Sequence, residues 1–253
     1  MKENRYDDPV FFEKYSQMDR SRKGLEGAGE WRELKALLPD FAGKGVLDLG
    51  CGYGWHCRYA DGQGARRVLG TDISRKMLNT AREKTDSARI EYRQAAMEDL
   101  SFPDSSFDVV ISSLALHYVR DYRPLVENVF RWLRPGGDFV FSVEHPVFTA
   151  YGTQDWLYDS NGEILCFPVD RYFEEGERTA AFLGEQVMKY HRTLTTYLQT
   201  LWQTGFAVRS LVEPQPPEDM RSLPGMKEEL RRPMMLLIAA KKPLQSKTDR
   251  INR

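Results

Sequence analysis

Val46-Leu47-Asp48-Leu49-Gly50-Cys51-Gly52-Tyr53-Gly54 reads as a short buried strand that breaks into a glycine-rich turn ahead of a helix. Glycine is needed where the backbone takes φ > 0 or where a ligand comes closer than a Cβ allows, so this turn is where a nucleotide-like ligand would dock. The dinucleotide fingerprint G-x-G-x-x-G seats a pyrophosphate on the helix N-terminus. Here the spacing is G-x-G-x-G, bulky Trp55 occupies the place of the third glycine, and Asp48 precedes the turn. A carboxylate there repels a pyrophosphate and attracts a ligand ammonium.

Outward from this turn, short apolar runs alternate with helical patterns, the signature of βαβ units and a parallel sheet. The runs are 46–49, 67–71, 90–93, 107–112 and 138–143. Helices are expected after Gly54, over 74–83 with Met77, Leu78 and Ala81 inward, and over 121–133 with Leu125, Val129 and Leu133 inward. Leu133-Arg134-Pro135-Gly136-Gly137 reads as a turn. Upstream, Asp8-Pro9 reads as a helix start, with Phe11, Tyr15 and Met18 on one face; a second helix ends at Pro39, and Gly24, Gly27 and Gly29 form a joint between them. Downstream, regular alternation stops after Pro146 for about 45 aromatic-rich residues, longer than an idle loop in a compact domain. A helix is expected over 192–204, then strands at 206–212 and 234–240 flanking a Pro-rich segment. The spacing predicts one domain: a helical cover (1–44), a βα core (45–145), an insertion (146–190), a closing helix and strands (191–241) and a basic tail (242–253).

Composition excludes other classes. With 36 Lys+Arg against 37 Asp+Glu the net charge is -1, so no global field favours nucleic acid or an anionic bilayer. No run approaches ~18 apolar residues, so no membrane span is expected. Three cysteines, Cys51, Cys57 and Cys166, form neither a CxxC pair nor an even disulfide set; with no apolar leader after Met1, a cytoplasmic, metal-free protein is expected.

Together these segments resemble the class I S-adenosylmethionine (SAM)-dependent methyltransferases, in particular the ubiquinone/menaquinone methyltransferase-like group. The resemblance implies an α/β Rossmann-like fold: a seven-stranded, mostly parallel sheet with one antiparallel strand, helices on both faces and a closing antiparallel hairpin. It implies that Asp48, Gly50, Cys51, Gly52, Tyr53 and Gly54 cradle the methionine part of SAM. Asp72, ending the second strand 22 residues past Gly50, falls where the family binds the ribose hydroxyls, with Ile73 and Met77 beside it; its alternative as a helix cap is weakened because Ser74 can cap. Gln94 to Leu100 resembles the adenine loop, but Ala96 stands where relatives usually carry Asp, leaving the Met97 backbone and Glu98 as substitutes. Ser112, Leu114 and His117 follow as cofactor wall, and Tyr15 as part of the cover, where a core role fits its periodicity equally well. The base-methyltransferase signature Asn/Asp-Pro-Pro-Tyr is absent.

Methyl transfer needs alignment and, for some acceptors, a general base. His117, Glu144 and His145 emerge at the carboxyl edge of the sheet, where open α/β folds bind ligands, and are the candidate catalytic groups. Tyr118, Glu144, His145, His191 and Arg192 are candidate acceptor contacts; for each a structural hydrogen bond or a helix start is the alternative. The expectation is a small-molecule methyltransferase, monomer or homodimer. An NAD-dependent oxidoreductase and a non-catalytic SAM-binding regulatory protein are the alternatives.

Overall fold

The computed structural model describes residues 4–244. It opens with α1 (Pro9–Ser16), α2 (Asp19–Arg22) and α3 (Trp31–Leu37). Asp8 starts α1 by accepting from the Val10 and Phe11 N–H groups, with Pro9 in the first turn; α2 precedes the glycine joint, which itself holds a 3-10 turn over Gly24–Gly27. Next come β1 (Gly45–Leu49), α4 (Trp55–Gly62), β2 (Arg67–Asp72), α5 (Arg75–Glu83), β3 (Ile90–Gln94), β4 (Phe107–Ser113), α6 (Tyr122–Trp132) and β5 (Leu133–Glu144). The insertion contains α7 (Pro146–Ala150), β6 (Leu157–Tyr158), β7 (Ile164–Cys166), β8 (Gly176–Phe182) and β9 (Glu185–His191), and α8 (Leu194–Thr204), β10 (Ala207–Val212) and β11 (Met235–Lys241) close the chain. Residues 1–3 and, of the expected tail, 245–253 lie outside the described region.

Seven strands form one sheet in the order β3-β2-β1-β4-β5-β11-β10. The first five run parallel, and β11 is antiparallel to both β5 and β10, so it is the single reversed strand. The order reverses between β1 and β4, the crevice where such sheets bind ligands. Period-two alternation sends Leu47 and Leu49 to the face covered by α6 and α8, and Val46 to the face where Cys57 and Ala60 of α4 and Leu78 of α5 pack. Asp48 shares the Val46 face, which puts a carboxylate under α4. Trp31 and Leu34 of α3 cover Val140, Leu237 and Ala239 on β5 and β11.

Three expectations are corrected. The turn expected at Leu133–Gly137 is the start of β5: Leu133 pairs with Phe107, and the register then shifts so that Asp138 pairs with Val109. The late helix starts at Leu194, not Arg192, because Thr193 caps it by accepting from the Thr196 N–H; Tyr190 and His191 end β9. The insertion carries two hairpins, β6–β7 and β8–β9, not an irregular cover. In β8–β9 the inward positions include Arg178 and Lys189 beside Ala180 and Val187, so charge hides the alternation. Among the described residues no helix is long and apolar enough to cross a membrane.

Candidate functional site

The carboxyl ends of the strands open into a cavity of about 420 Å³ running from the β1–β2–β3 ends to the β4–β5–β11 ends. Tyr6, Tyr15 and Met18 roof it from the N-terminal segment, and residues 214–235 roof the far end. Of the expected cofactor residues, Tyr15, Gly50, Gly52, Asp72, Ile73, Met77, Ala96, Met97, Glu98, Leu114 and His117 line this cavity. Cys51 and Tyr53 line a smaller pocket that shares Gly50 and Gly52 with it.

The glycine loop is pinned to β2, with the Gly50 and Cys51 N–H groups both donating to the Thr71 carbonyl at 2.8 and 2.9 Å. Gly50 (φ +72°) is obligatory: a methyl there would strike the Ala115 Cβ. Above Gly52 (φ +51°) the space is open, as a cradle for a ligand requires. The Asp72 carboxylate accepts from the Gly52 N–H at 2.9 Å and the Ser74 N–H at 2.8 Å. Burial outweighs these bonds, and with the nearby Asp7 charge the Asp72 pKa rises to about 6. Ser74 caps α5 as its position suggests. Asp7 ties the N-terminal cover to that helix, accepting from the Ser74 hydroxyl at 2.6 Å and the Lys76 N–H at 3.0 Å. A second tie joins the Tyr6 and Tyr118 hydroxyls at 3.2 Å.

Asp48 lies beneath the loop, 1% exposed, outside the cavity wall. Its Oδ2 accepts from the Cys57 thiol at 3.2 Å, Oδ1 has no partner, and burial pushes its pKa up to about 7. Burial also lifts the Cys51 thiol to about 11, so it stays protonated. Gly54 opens α4 in the left-handed conformation against the Tyr92 ring, behind the wall. Ser112 is fully buried and donates to the Leu49 carbonyl at 2.8 Å, clamping β4 to β1. Leu114 holds φ +50°, a strained value for a residue with a Cβ, with its N–H on the Ser142 carbonyl at 2.9 Å.

At the far end, His117, Tyr118 and Glu144 line the cavity. His117 Nδ1 accepts the Glu144 backbone N–H at 3.4 Å, so Nε2 carries the proton of the neutral ring, and burial drives the pKa down to about 4. The Glu144 carboxylate takes Lys189 Nζ at 2.6 Å and Gln154 Nε2 at 2.7 Å. Burial opposes its ionisation, but His117, the Lys189 ammonium and the two hydrogen bonds overcome this and hold it below the usual carboxylate range.

The other acceptor candidates stand apart from the cavity. His145 caps α7 through Nδ1, which accepts from the Val147 N–H at 3.0 Å and so leaves the ring neutral; Nε2 lies 2.8 Å from the Glu213 carboxylate without an aligned hydrogen bond. His191 is fully buried with both nitrogens engaged, Nδ1 by the Thr149 hydroxyl at 2.7 Å and Nε2 by the Tyr172 carbonyl at 2.9 Å. Arg192 donates to the Val119, Arg120 and Tyr190 carbonyls.

Sequence reasoning missed several groups. Arg20 grips buried Glu30 through two bonds of 2.6 and 2.7 Å, and both line the two pockets. Lys189, 2% exposed, carried no signal because it alternates like any strand residue. Methionine usage was a legible signal, since seven of the chain's nine methionines line the cavity. Among the described residues no group of three His, Cys, Asp or Glu is placed to hold a metal ion.

A Rossmann-like sheet of this order, with a glycine cradle after β1 and an acid ending β2, defines the class of SAM-dependent methyltransferases. A methyltransferase domain family model matches residues 47–141. The structure superposes on a Listeria monocytogenes protein assigned as an S-adenosylmethionine-dependent methyltransferase with TM-score 0.83 and 55% identity, covering 87% of this chain and 99% of that one. A Mesorhizobium loti S-adenosylmethionine-dependent methyltransferase gives TM-score 0.80 and 45% identity over 86% and 100% of the two chains. The demethylmenaquinone methyltransferase of Lactococcus lactis is 34% identical over 63% of this chain and 74% of its own length. The chain belongs to the class I SAM-dependent methyltransferases and is an enzyme that uses SAM, which displaces the oxidoreductase and non-catalytic alternatives.

Proposed function

We propose that the enzyme transfers the methyl group of SAM to a small-molecule acceptor held in the methionine-lined half of the cavity. The carrying observation is continuity: one roofed cavity joins the Gly50–Gly52 cradle and Asp72 to Glu144, His117 and the methionine wall. When bound, SAM supplies a methyl on a sulfonium, an excellent leaving group. Asp72 is assigned to the ribose hydroxyls; its two oxygens already brace the loop, and each keeps a lone pair. Ala96, Met97 and Glu98 border the adenine, Gly50 and Gly52 lie against the methionine part, and Tyr15 closes over it. Arg20 and Glu30 offer complementary charges to its carboxylate and ammonium, which frees Asp48 to support the loop from below. Leu114, His117, Tyr118 and Glu144 position the acceptor, while His145, His191 and Arg192 hold the segments around that end. The roof narrows access to the cavity and limits the size of the acceptor.

Titration calorimetry with S-adenosylhomocysteine tests the cofactor half: saturable binding that weakens in Asp72→Ala supports the assignment. S-adenosylhomocysteine release tests the acceptor half. It should be stimulated by the low-molecular-mass fraction of a cell extract and not by its RNA or protein fractions.

A further inference from the structure

The acceptor end is unusual in what its wall lacks. Among the described residues the only Lys or Arg in the wall is Arg20, which sits with Glu30 at the glycine-loop end, the end assigned to the cofactor. The two carboxylates at that end, Glu144 and Glu229, each have a buried cation behind them: Lys189 at 2.6 Å and Arg232 at 2.7 Å. Arg232 is itself packed against the rings of Phe148 and Phe167. Among the described residues no Lys or Arg of the wall is left at the acceptor end to receive a phosphate or carboxylate, and an anionic acceptor would lose its hydration beside carboxylates whose counter-charges are already paired. Met220, Leu223, Met226, Met234 and Met235 give the rest of this wall, beside the run 214–217 of prolines and Gln215, a mostly apolar and adaptable surface.

The wall also lacks a strong base. The lone pair of His117 Nδ1 is committed to the Glu144 N–H, leaving its Nε2–H as a donor. Glu144 is a stabilised carboxylate and a weak base, and burial raises the Tyr6 and Tyr15 hydroxyls, keeping them protonated. An alcohol or carbon acid needs a base at the moment of attack, whereas an amine gives up its proton to solvent beforehand and then attacks through a free lone pair.

The geometry therefore points to an apolar amine as the acceptor class, its N–H group hydrogen-bonded to the Glu144 carboxylate and its hydrocarbon body on the methionine wall. This rests on the proposed acceptor half of the cavity. In the step, the bound ammonium first gives a proton to solvent past Glu144; the freed nitrogen lone pair then forms the N–CH3 bond, the S–CH3 bond breaks with its electron pair passing to sulfur, and the product leaves as the methylated ammonium.

The test is calorimetry of the protein saturated with S-adenosylhomocysteine, using n-alkylamines, n-alkanols and n-alkanoates of matched length. Expected is amine binding at least about tenfold tighter than that of the matched alkanol, with alkanoate binding weakest. In Glu144→Gln the amine advantage should fall at least about fivefold while S-adenosylhomocysteine affinity holds. Because that change strands Lys189, the double variant Glu144→Gln/Lys189→Met is measured alongside and should lose the same advantage. Equal or tighter alkanoate or alkanol binding, no binding of any series, or an amine advantage unchanged in the double variant overturns the proposal. Failure of S-adenosylhomocysteine itself to bind would instead sink the reading beneath it.

Discussion

Replacing Asp48 by Asn removes one titrating proton from beneath the glycine loop and leaves side-chain size unchanged. In the folded protein burial lifts this carboxyl from 3.8 to about 7, opposed by the Cys57 thiol and reinforced by the Asp72 charge. An acid whose folded pKa is raised binds its proton more tightly folded than unfolded. Its contribution is therefore most favourable at low pH, declines above pH 3.8 and levels off above about pH 7. Three units at about 1.36 kcal/mol each is about 4 kcal/mol, of which about 3 kcal/mol falls between pH 5 and pH 8. Asn keeps an acceptor for the thiol but buries unpartnered amide hydrogens, at about 1–3 kcal/mol independent of pH. Urea unfolding of the unliganded protein and of Asp48→Asn at several pH values measures the difference directly. The variant should gain about 3 kcal/mol relative to the parent from pH 5 to pH 8, because the other titrations largely cancel. A constant offset between the two curves would refute the buried, unpaired carboxylate.

Other perturbations reach the rest of the site. Asp72→Ala is expected to weaken S-adenosylhomocysteine binding by about 10- to 100-fold in calorimetry, the worth of hydrogen bonds to a charged group; an unchanged Kd contradicts its ribose role. Gly50→Ala should abolish measurable cofactor binding and lower the urea midpoint, because φ +72° and the Ala115 contact leave no room for a Cβ. Lys189→Met strands Glu144 and should cost about 3–5 kcal/mol, largely restored in the double variant with Glu144→Gln; equal stability of single and double variants argues against the pair. The ring protons of His117, followed by NMR, should show no titration between pH 5.5 and 8, since burial holds its pKa at about 4; a midpoint near 6.5 would remove the neutral-donor assignment.

The parts legible in the sequence are those governed by local rules. The Gly50–Gly54 turn, the acid ending β2, Ser74 as a cap and the inward faces of α5 and α6 are set by backbone conformation and by the 3.6 and 2.0 side-chain periods. What stayed hidden depends on partners far along the chain. His145 and His191 emerge where sequence logic places acceptor contacts, yet their nitrogens face the Val147 N–H and Glu213, and Thr149 and Tyr172. Glu144 meets Lys189 45 residues away. No local pattern encodes such pairings, because a charge in a strand looks the same whether it meets water or a buried counter-charge.

By itself, then, the sequence determined the sheet and the glycine turn, which follow from short-range periodicity and from backbone conformations that favour glycine, and its ordered motifs carried the resemblance to the methyltransferase family. Only the tertiary structure decided which of the edge residues face the cavity, that Asp48 supports the loop from below, and that the far wall is methionine with paired carboxylates. Those outcomes depend on which surfaces the N-terminal cover, the β8–β9 hairpin and residues 213–235 bury against one another, and burial is a property of the assembled chain.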